Sequence, residues 1–128
     1  MSNWNVPFPV DWIKNSNNGQ YFDFLKLNLD APYFLNKTGV YVIWYVTPTG
    51  GKAIYVGQGN IGERLKAHRN NWKITKYSRY GQLKVTWALV EGEYLDNIEA
   101  GLYRDYAPLE VERVPSALPI SVTPIWYK

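Results

Sequence analysis

Two strand-like segments joined by a very short turn constrain this chain more than any other feature. Residues 40–46 read VYVIWYV, a β-branched and aromatic run that is typical of a strand. The turn PTGG follows at residues 48–51, and AIYV at residues 53–56 forms a second strand-like run. Strands connected this closely pair in the antiparallel sense, so the sequence predicts a β-hairpin.

The hairpin leads directly into a glycine-rich turn. Residues 57–62 read GQGNIG, which matches the dinucleotide-binding pattern G-x-G-x-x-G. That fold requires a parallel strand before the glycines and an acidic residue about 20 positions after them. Here the strand returns from a hairpin, and the acidic candidate Glu91 lies too far downstream. We therefore expect no dinucleotide cofactor, and titration with NAD(P) or FAD would test that alternative.

The elements after the turn indicate the fold class. A capping-box pattern at Asn60 and Glu63 predicts a helix from residue 61 to about residue 71. Residues 83–90 read as a third strand, and residues 94–106 as a second helix that a proline ends. The order ββαβα predicts an α+β fold in which a small antiparallel three-stranded sheet is flanked by helices.

The flanking regions are less regular. Residues 1–38 are interpreted as an N-terminal extension that packs on the core, with segment 20–29 open between strand and helix. Residues 39–110 form the central domain. Residues 111–128 are proline-rich and are expected to form an extended tail, with a short edge strand near residues 120–122.

Composition excludes several kinds of site. The chain of 128 residues has no cysteine and one histidine, His68, so disulfides, thiol catalysis and multi-histidine metal sites are excluded. Any metal would need oxygen ligands, which favours Mg²⁺ or Mn²⁺. The net charge of +3 fits either ordinary solubility or a weak preference for polyanions. No membrane-spanning run or signal peptide is recognised, so we expect a cytoplasmic protein without a membrane partner.

Two pairs of residues could contribute chemistry. Tyr41 lies early in the first strand and Tyr55 late in the second, so the hairpin brings the two phenols to one end of the sheet. Taken alone, this pair is typical of structural packing. Arg64 and His68 lie four residues apart on one helix face. Arg64 could bind a phosphate or form a surface ion pair, and His68 could be a structural residue or a general base.

Glu99 is the most informative single residue. It lies within an apolar stripe of the second predicted helix, whose members are Leu95, Ile98, Leu102, Tyr103 and Tyr106. A carboxylate on an apolar face is unfavourable unless it is paired or binds a metal. The sequence leaves open a buried salt bridge, for instance to Arg64, and a metal-ligand role.

The motifs together resemble those of the GIY-YIG nuclease superfamily. Residues 39–41 (GVY) and 55–57 (YVG) are similar to its paired motifs, and residues 62–68 (GERLKAH) resemble its catalytic-arginine helix. Residues 91–108 resemble its final helix, which ends before a proline. The resemblance covers roughly residues 39–110 and implies a metal-dependent hydrolase of DNA phosphodiester bonds.

The resemblance also implies a role for each site residue. Glu99 would hold one Mg²⁺ or Mn²⁺ ion, and Arg64 would stabilise the charge on the phosphorus. Tyr41 is the favoured general base and Tyr55 would position the water or phosphate, although these roles are exchangeable. His68 would assist proton transfer or tune a tyrosine.

The chain departs from the family pattern at two places. Gln58 stands where many members have a lysine, and no asparagine follows Pro108, where residues 109–112 read LEVE. A catalytically weak or inactive module that binds DNA or RNA is therefore the alternative, and the oligomeric state is left open. The residues expected to contact substrate are Gly57, Gln58, Gly59, Lys66, Arg69, Lys73, Lys76 and Arg79.

Overall fold

The predicted hairpin supplies two strands of a four-stranded sheet. In the computed structural model, which describes residues 6–126, the spatial strand order is β1-β4-β2-β3 and every neighbouring pair is antiparallel. The first five residues of the predicted extension and the last two of the predicted tail lie outside the described residues. The elements are β1 (Phe22–Asp23), β2 (Thr38–Thr47), β3 (Gly50–Asn60), α1 (Ile61–Arg69), α2 (Trp72–Thr75), β4 (Leu83–Leu89) and α3 (Leu95–Tyr106). Three 3-10 turns cover Pro32–Phe34, Lys76–Arg79 and Gly92–Tyr94.

The α+β class is confirmed, but the prediction of three strands is wrong. The additional strand, β1, has two residues, which pair with Val85 and Lys84 of β4. A strand this short has no alternating pattern to reveal it. The predicted edge strand near residues 120–122 is reduced to one isolated bridge between Phe8 and Val122.

The two faces of the sheet carry separate apolar cores. The first core lies on the α1 side and combines Leu65 of α1 with Tyr41 and Trp87 from the sheet. The second core lies on the α3 side and combines Val40 and Val56 with apolar residues of α3. Because adjacent residues of a strand point to opposite faces, β2 contributes alternately to both cores.

A β-bulge at Ile54 changes which face the end of β3 presents. Trp44 pairs with Ala53, whereas Ile43 pairs with Tyr55, so Ile54 is the extra residue. In the register that precedes the bulge, Tyr55 would lie opposite Val42 and would face α3. The bulge therefore brings Tyr55 to the α1 face, which it shares with Tyr41.

The helices begin and end close to the predicted residues. Asn60 caps α1 by accepting a hydrogen bond from the backbone N–H of Glu63. Helix α1 ends at Arg69 rather than near residue 71, and Trp72 begins α2. Helix α3 ends at Tyr106, and the next residue, Ala107, adopts the left-handed conformation with φ of 45°.

The C-terminal segment returns along the β3 edge and across α3. The backbone N–H groups of Leu109 and Glu110 donate to the carbonyls of Ala53 and Ile54. Further along, the N–H of Ile120 donates to the carbonyl of Asn97 on α3. Within residues 6–126, no helix has both the length and the apolar character that spanning a membrane requires.

Candidate active site

The two tyrosines of the hairpin lie in contact on the α1 face of the sheet. Their ring centroids are 6.2 Å apart and the ring planes differ by 15°. Tyr41 is opposite Gly57 and Tyr55 is opposite Ile43, so the phenols are diagonal neighbours across the β2–β3 pair. The prediction that these two side chains meet is confirmed.

Helix α1 directs Arg64 and His68 at this pair. The hydroxyl of Tyr41 lies 2.7 Å from Nε2 of His68, and Nε of Arg64 donates to the same hydroxyl at 3.4 Å. The His68 ring also lies against Tyr55, with centroids 4.2 Å apart. One turn of α1 therefore places a guanidinium and an imidazole on the two phenols.

Burial dominates the electrostatics of these groups. Tyr41 is fully buried and its pKa is raised by that burial, although Arg64 opposes the effect. The pKa of His68 is lowered to about 4, chiefly by burial and secondarily by Arg64. Burial also raises the pKa of Tyr55, and the carboxylate of Glu112 adds to the increase. At neutral pH both phenols are therefore protonated and His68 is uncharged.

A cleft of about 470 Å³ lies along the β3 edge of the sheet. Since β3 is the outermost strand, the cleft receives side chains from both faces. Its walls include Tyr55, Gln58, Arg64, Glu99, Glu110 and Glu112. The cleft therefore unites Tyr55, Arg64 and Glu99 in one concave site, with Tyr41 buried behind Tyr55.

Glu99 is half-buried at this cleft and is held by a residue of β3. Nε2 of Gln58 donates to Oε1 of Glu99 at 3.2 Å and to Oδ1 of Asp96 at 2.6 Å. Among the described residues no ion pair joins Glu99 to Arg64, so the predicted salt-bridge alternative is not observed. No three residues drawn from His, Cys, Asp and Glu form a metal-binding group within residues 6–126.

At two positions of the predicted turn, the structure explains why the residue is glycine. A Cβ atom on Gly57 would overlap the hydroxyl of Tyr41, so only glycine lets the phenol reach Arg64 and His68. Gly59 has φ of 127°, which L-residues with a side chain rarely adopt. Gly57 therefore makes room for Tyr41, and Gly59 permits the backbone conformation. Both residues lie within β3 rather than in the predicted glycine-rich turn.

The structure places the predicted substrate-contact residues in different parts of the fold. Gln58 lines the cleft, whereas Lys66 forms an exposed ion pair of 2.6 Å with Asp30. Arg69 donates to the backbone carbonyls of Phe24 and Leu27, which ties α1 to the N-terminal segment. The remaining cations, Lys73, Lys76 and Arg79, lie on α2 and the 3-10 turn that follows it.

The sequence reasoning did not assign Glu112 to the site. This exposed carboxylate lines the cleft and acts on both Tyr55 and Arg64. It lies in the segment after Pro108, where the family pattern predicts an asparagine. The hydrogen bonds of Leu109 and Glu110 to β3 bring this segment to the cleft. No local sequence motif predicts these hydrogen bonds.

Comparisons of the chain with protein-family models, with curated proteins and with solved structures found no match.

Proposed function

We propose that the protein is a divalent-metal-dependent endonuclease that hydrolyses phosphodiester bonds of DNA in the cytoplasm. The observation that carries the proposal is the convergence of Tyr55, Arg64 and Glu99 on one cleft, with Tyr41 and His68 directly behind it. A phenol, a guanidinium and a carboxylate within one concave site provide a proton acceptor, an anion-binding group and a cation ligand.

The residues present fit a magnesium-type ion. Mg²⁺ is commonly held by one or two carboxylates, while waters and substrate phosphate oxygens complete its octahedron. Glu99 supplies one such carboxylate on the cleft wall, so a dedicated cluster of three protein ligands is not required. Bound at Glu99, the ion would polarise the scissile phosphate and ease departure of the leaving oxygen.

Arg64 is the residue suited to stabilise charge on the phosphate. Its guanidinium carries a permanent positive charge, lies on the cleft wall and contacts the hydroxyl of Tyr41. In the reaction it would donate hydrogen bonds to the non-bridging oxygens as negative charge accumulates on them.

The burial of the two phenols favours exchanging the roles inferred from the sequence. Tyr41 has no exposed surface, so water cannot approach its hydroxyl in this conformation. Tyr55 is 7% exposed and lines the cleft. We therefore assign proton abstraction from the attacking water to Tyr55, and we assign the Tyr41–His68 pair to holding Arg64 and Tyr55 in place.

The decisive experiment is a cleavage assay with matched variants. Labelled single-stranded, duplex and branched DNA, and RNA, would be incubated with Mg²⁺ or Mn²⁺, with and without EDTA. We expect cleavage that needs the metal and that falls by about a hundredfold or more in Glu99→Gln and in Arg64→Ala. Glu93→Gln, which removes an exposed carboxylate just before α3, is the matched control and should retain activity. Full activity in both site variants, with folding confirmed by circular dichroism, would refute the proposal.

One observation favours a binding-only alternative. Gln58 stands where many GIY-YIG nucleases have a lysine. Its amide donates to one oxygen of Glu99 and also to Asp96, so it links the two carboxylates. If this bridge prevents metal binding, the cleft would hold a nucleic acid without cleaving it. A gel-shift assay beside the cleavage assay separates the two, since binding without metal-dependent turnover favours the alternative.

A further inference from the structure

Helix α2 and the 3-10 turn after it carry interspersed aromatic and basic residues. Residues 72–82 contain three cations, Lys73, Lys76 and Arg79, and no acidic residue. The N–H of Lys76 donates to the carbonyl of Trp72, so the two elements form one continuous helical segment. The segment therefore carries a formal charge of +3, which equals the formal net charge of the whole chain.

Helical spacing arranges these residues in two adjacent rows. An α-helical step of four followed by a 3-10 step of three places Trp72, Lys76 and Arg79 in one row. The same steps place Lys73, Tyr77 and Tyr80 in the other row. The centroid distance of 6.1 Å between Tyr77 and Tyr80 agrees with the second row.

Two of the three aromatic side chains of this segment are exposed, whereas Tyr77 is half-buried. Trp72 is 68% exposed and Tyr80 is 61% exposed. Tyr80 also rests against Tyr45 of β2, with centroids 5.7 Å apart, so one side of its ring is supported by the protein. An exposed aromatic ring with neighbouring cations is suited to stacking on an unpaired base while the cations contact the backbone phosphates, and Tyr80 is in addition held in place by Tyr45.

The surface is connected to the cleft through one carboxylate. The hydroxyl of Tyr77 donates to Oε2 of Glu110 at 2.6 Å, and Glu110 lines the cleft beside Tyr55. This hydrogen bond raises the pKa of Tyr77 to about 12, so its phenol stays a donor at physiological pH. The aromatic segment and the cleft therefore share Glu110, which places the two surfaces next to each other.

We propose that residues 72–80 form a stacking surface for single-stranded nucleic acid, and that the substrate has unpaired bases next to the bond that is cleaved. Duplex bases are already stacked on one another, so they cannot present their faces to Trp72 or Tyr80. The inference rests on the proposed nuclease function of the cleft, but binding can be measured without turnover.

The test measures binding of a labelled oligothymidylate of about 12 nucleotides by fluorescence anisotropy. The Glu99→Gln chain in EDTA serves as the background, and a hairpin duplex and polyglutamate are the comparison ligands. We expect the single strand to bind more tightly than the duplex, and polyglutamate not to compete. Trp72→Ala combined with Tyr80→Ala should weaken single-strand binding by about tenfold or more, and duplex binding by about twofold or less.

Two matched variants control for non-specific effects. Tyr80→Phe keeps the ring and should retain affinity, and Leu118→Ala removes an apolar side chain that is 82% exposed elsewhere on the chain. Equal affinity for single strand and duplex, unchanged binding in the double alanine variant, or competition by polyglutamate would each overturn the inference. Lack of metal-dependent cleavage by the unaltered chain would refute the nuclease proposal while the measured preference for single strands still stands, so the two failures are distinguishable.

Discussion

The hydroxyl of Tyr41 lies 2.7 Å from Nε2 of His68, in a part of the core that solvent barely reaches. Arg64 can only donate to that hydroxyl, so the phenol oxygen accepts from Arg64. When the uncharged His68 ring carries its proton on Nδ1, the hydroxyl of Tyr41 donates to the free Nε2. Burial and the nearby charge of Arg64 lower the pKa of His68, which keeps the imidazole uncharged beside Tyr41 at neutral pH.

We expect His68 to make the protein less stable as the pH falls through the mildly acidic range. Its pKa is about 4 in the folded chain against an ordinary value of 6.5, so the unfolded chain binds more protons between these values. The contribution of His68 is complete above pH 6.5, declines as the pH is lowered and is lost near pH 4. Urea unfolding at several pH values should reveal a total loss of about 3 kcal/mol from this residue.

The matched variant for this prediction is His68→Gln, which does not titrate. Its free energy of unfolding should be lower than that of the unaltered chain at pH 7 and should change less between pH 6.5 and pH 4. Identical pH slopes in the two proteins would show that His68 is not held neutral by the fold.

We expect cleavage to accelerate with increasing pH and to depend on Tyr55. The pKa of Tyr55 is raised by burial and by Glu112, so only a small fraction of the phenol is ionised at neutral pH. Below that pKa each pH unit raises the phenolate fraction about tenfold. The rate of cleavage under saturating metal should therefore rise across the range from neutral to mildly alkaline pH. The Tyr55→Phe variant should not cleave. A flat profile would argue against a phenol as the base.

We expect Glu112→Gln to increase activity. This carboxylate raises the pKa of Tyr55 and also faces Arg64, where it opposes the approach of a phosphate. Because Glu112 is exposed, the increase should be about twofold to fivefold and should shrink at high salt. Single-turnover rates at two salt concentrations, compared with Glu93→Gln, provide the measurement. A decrease specific to Glu112→Gln would instead indicate that this carboxylate assists the reaction.

We expect Gly57→Ala to destabilise the fold and to disturb the site. The added methyl group would overlap the hydroxyl of Tyr41, and overpacking of a buried site destabilises by about 1–3 kcal/mol. Gly92→Ala is the matched control, because a Cβ at that position meets no atom within 4 Å. The midpoints of chemical denaturation compare the two variants. Equal midpoints would mean that Tyr41 can move without loss.

Periodicity and turn chemistry were sufficient to predict most of the fold. The hairpin, the capped start of α1, the strand at β4 and the extent of α3 follow from local patterns that the packing reinforces. The two-residue strand β1 could not be predicted, since its pairing with β4 depends on how the N-terminal segment packs on the first core.

At the candidate site, the sequence predicted one side-chain contact but not the backbone geometry that creates it. The sequence correctly brought Tyr41 and Tyr55 together, yet it gave no sign of the bulge at Ile54 that turns Tyr55 to the shared face. The burial of Tyr41 and the position of Glu112 arise from long-range contacts, which no spacing rule contains. Such departures from regular structure are common beside functional sites.

The hydrogen bonds from Leu109 and Glu110 to β3 have a consequence for how copies of this chain meet. An outer strand with unpaired backbone groups can pair with a strand of another molecule. The two hydrogen bonds occupy the carbonyls of Ala53 and Ile54 on the outer strand β3. At the opposite margin, β1 offers only two residues. A chain shortened after Pro108 would therefore lose a wall of the cleft and, at the same time, its protection against self-association through β3.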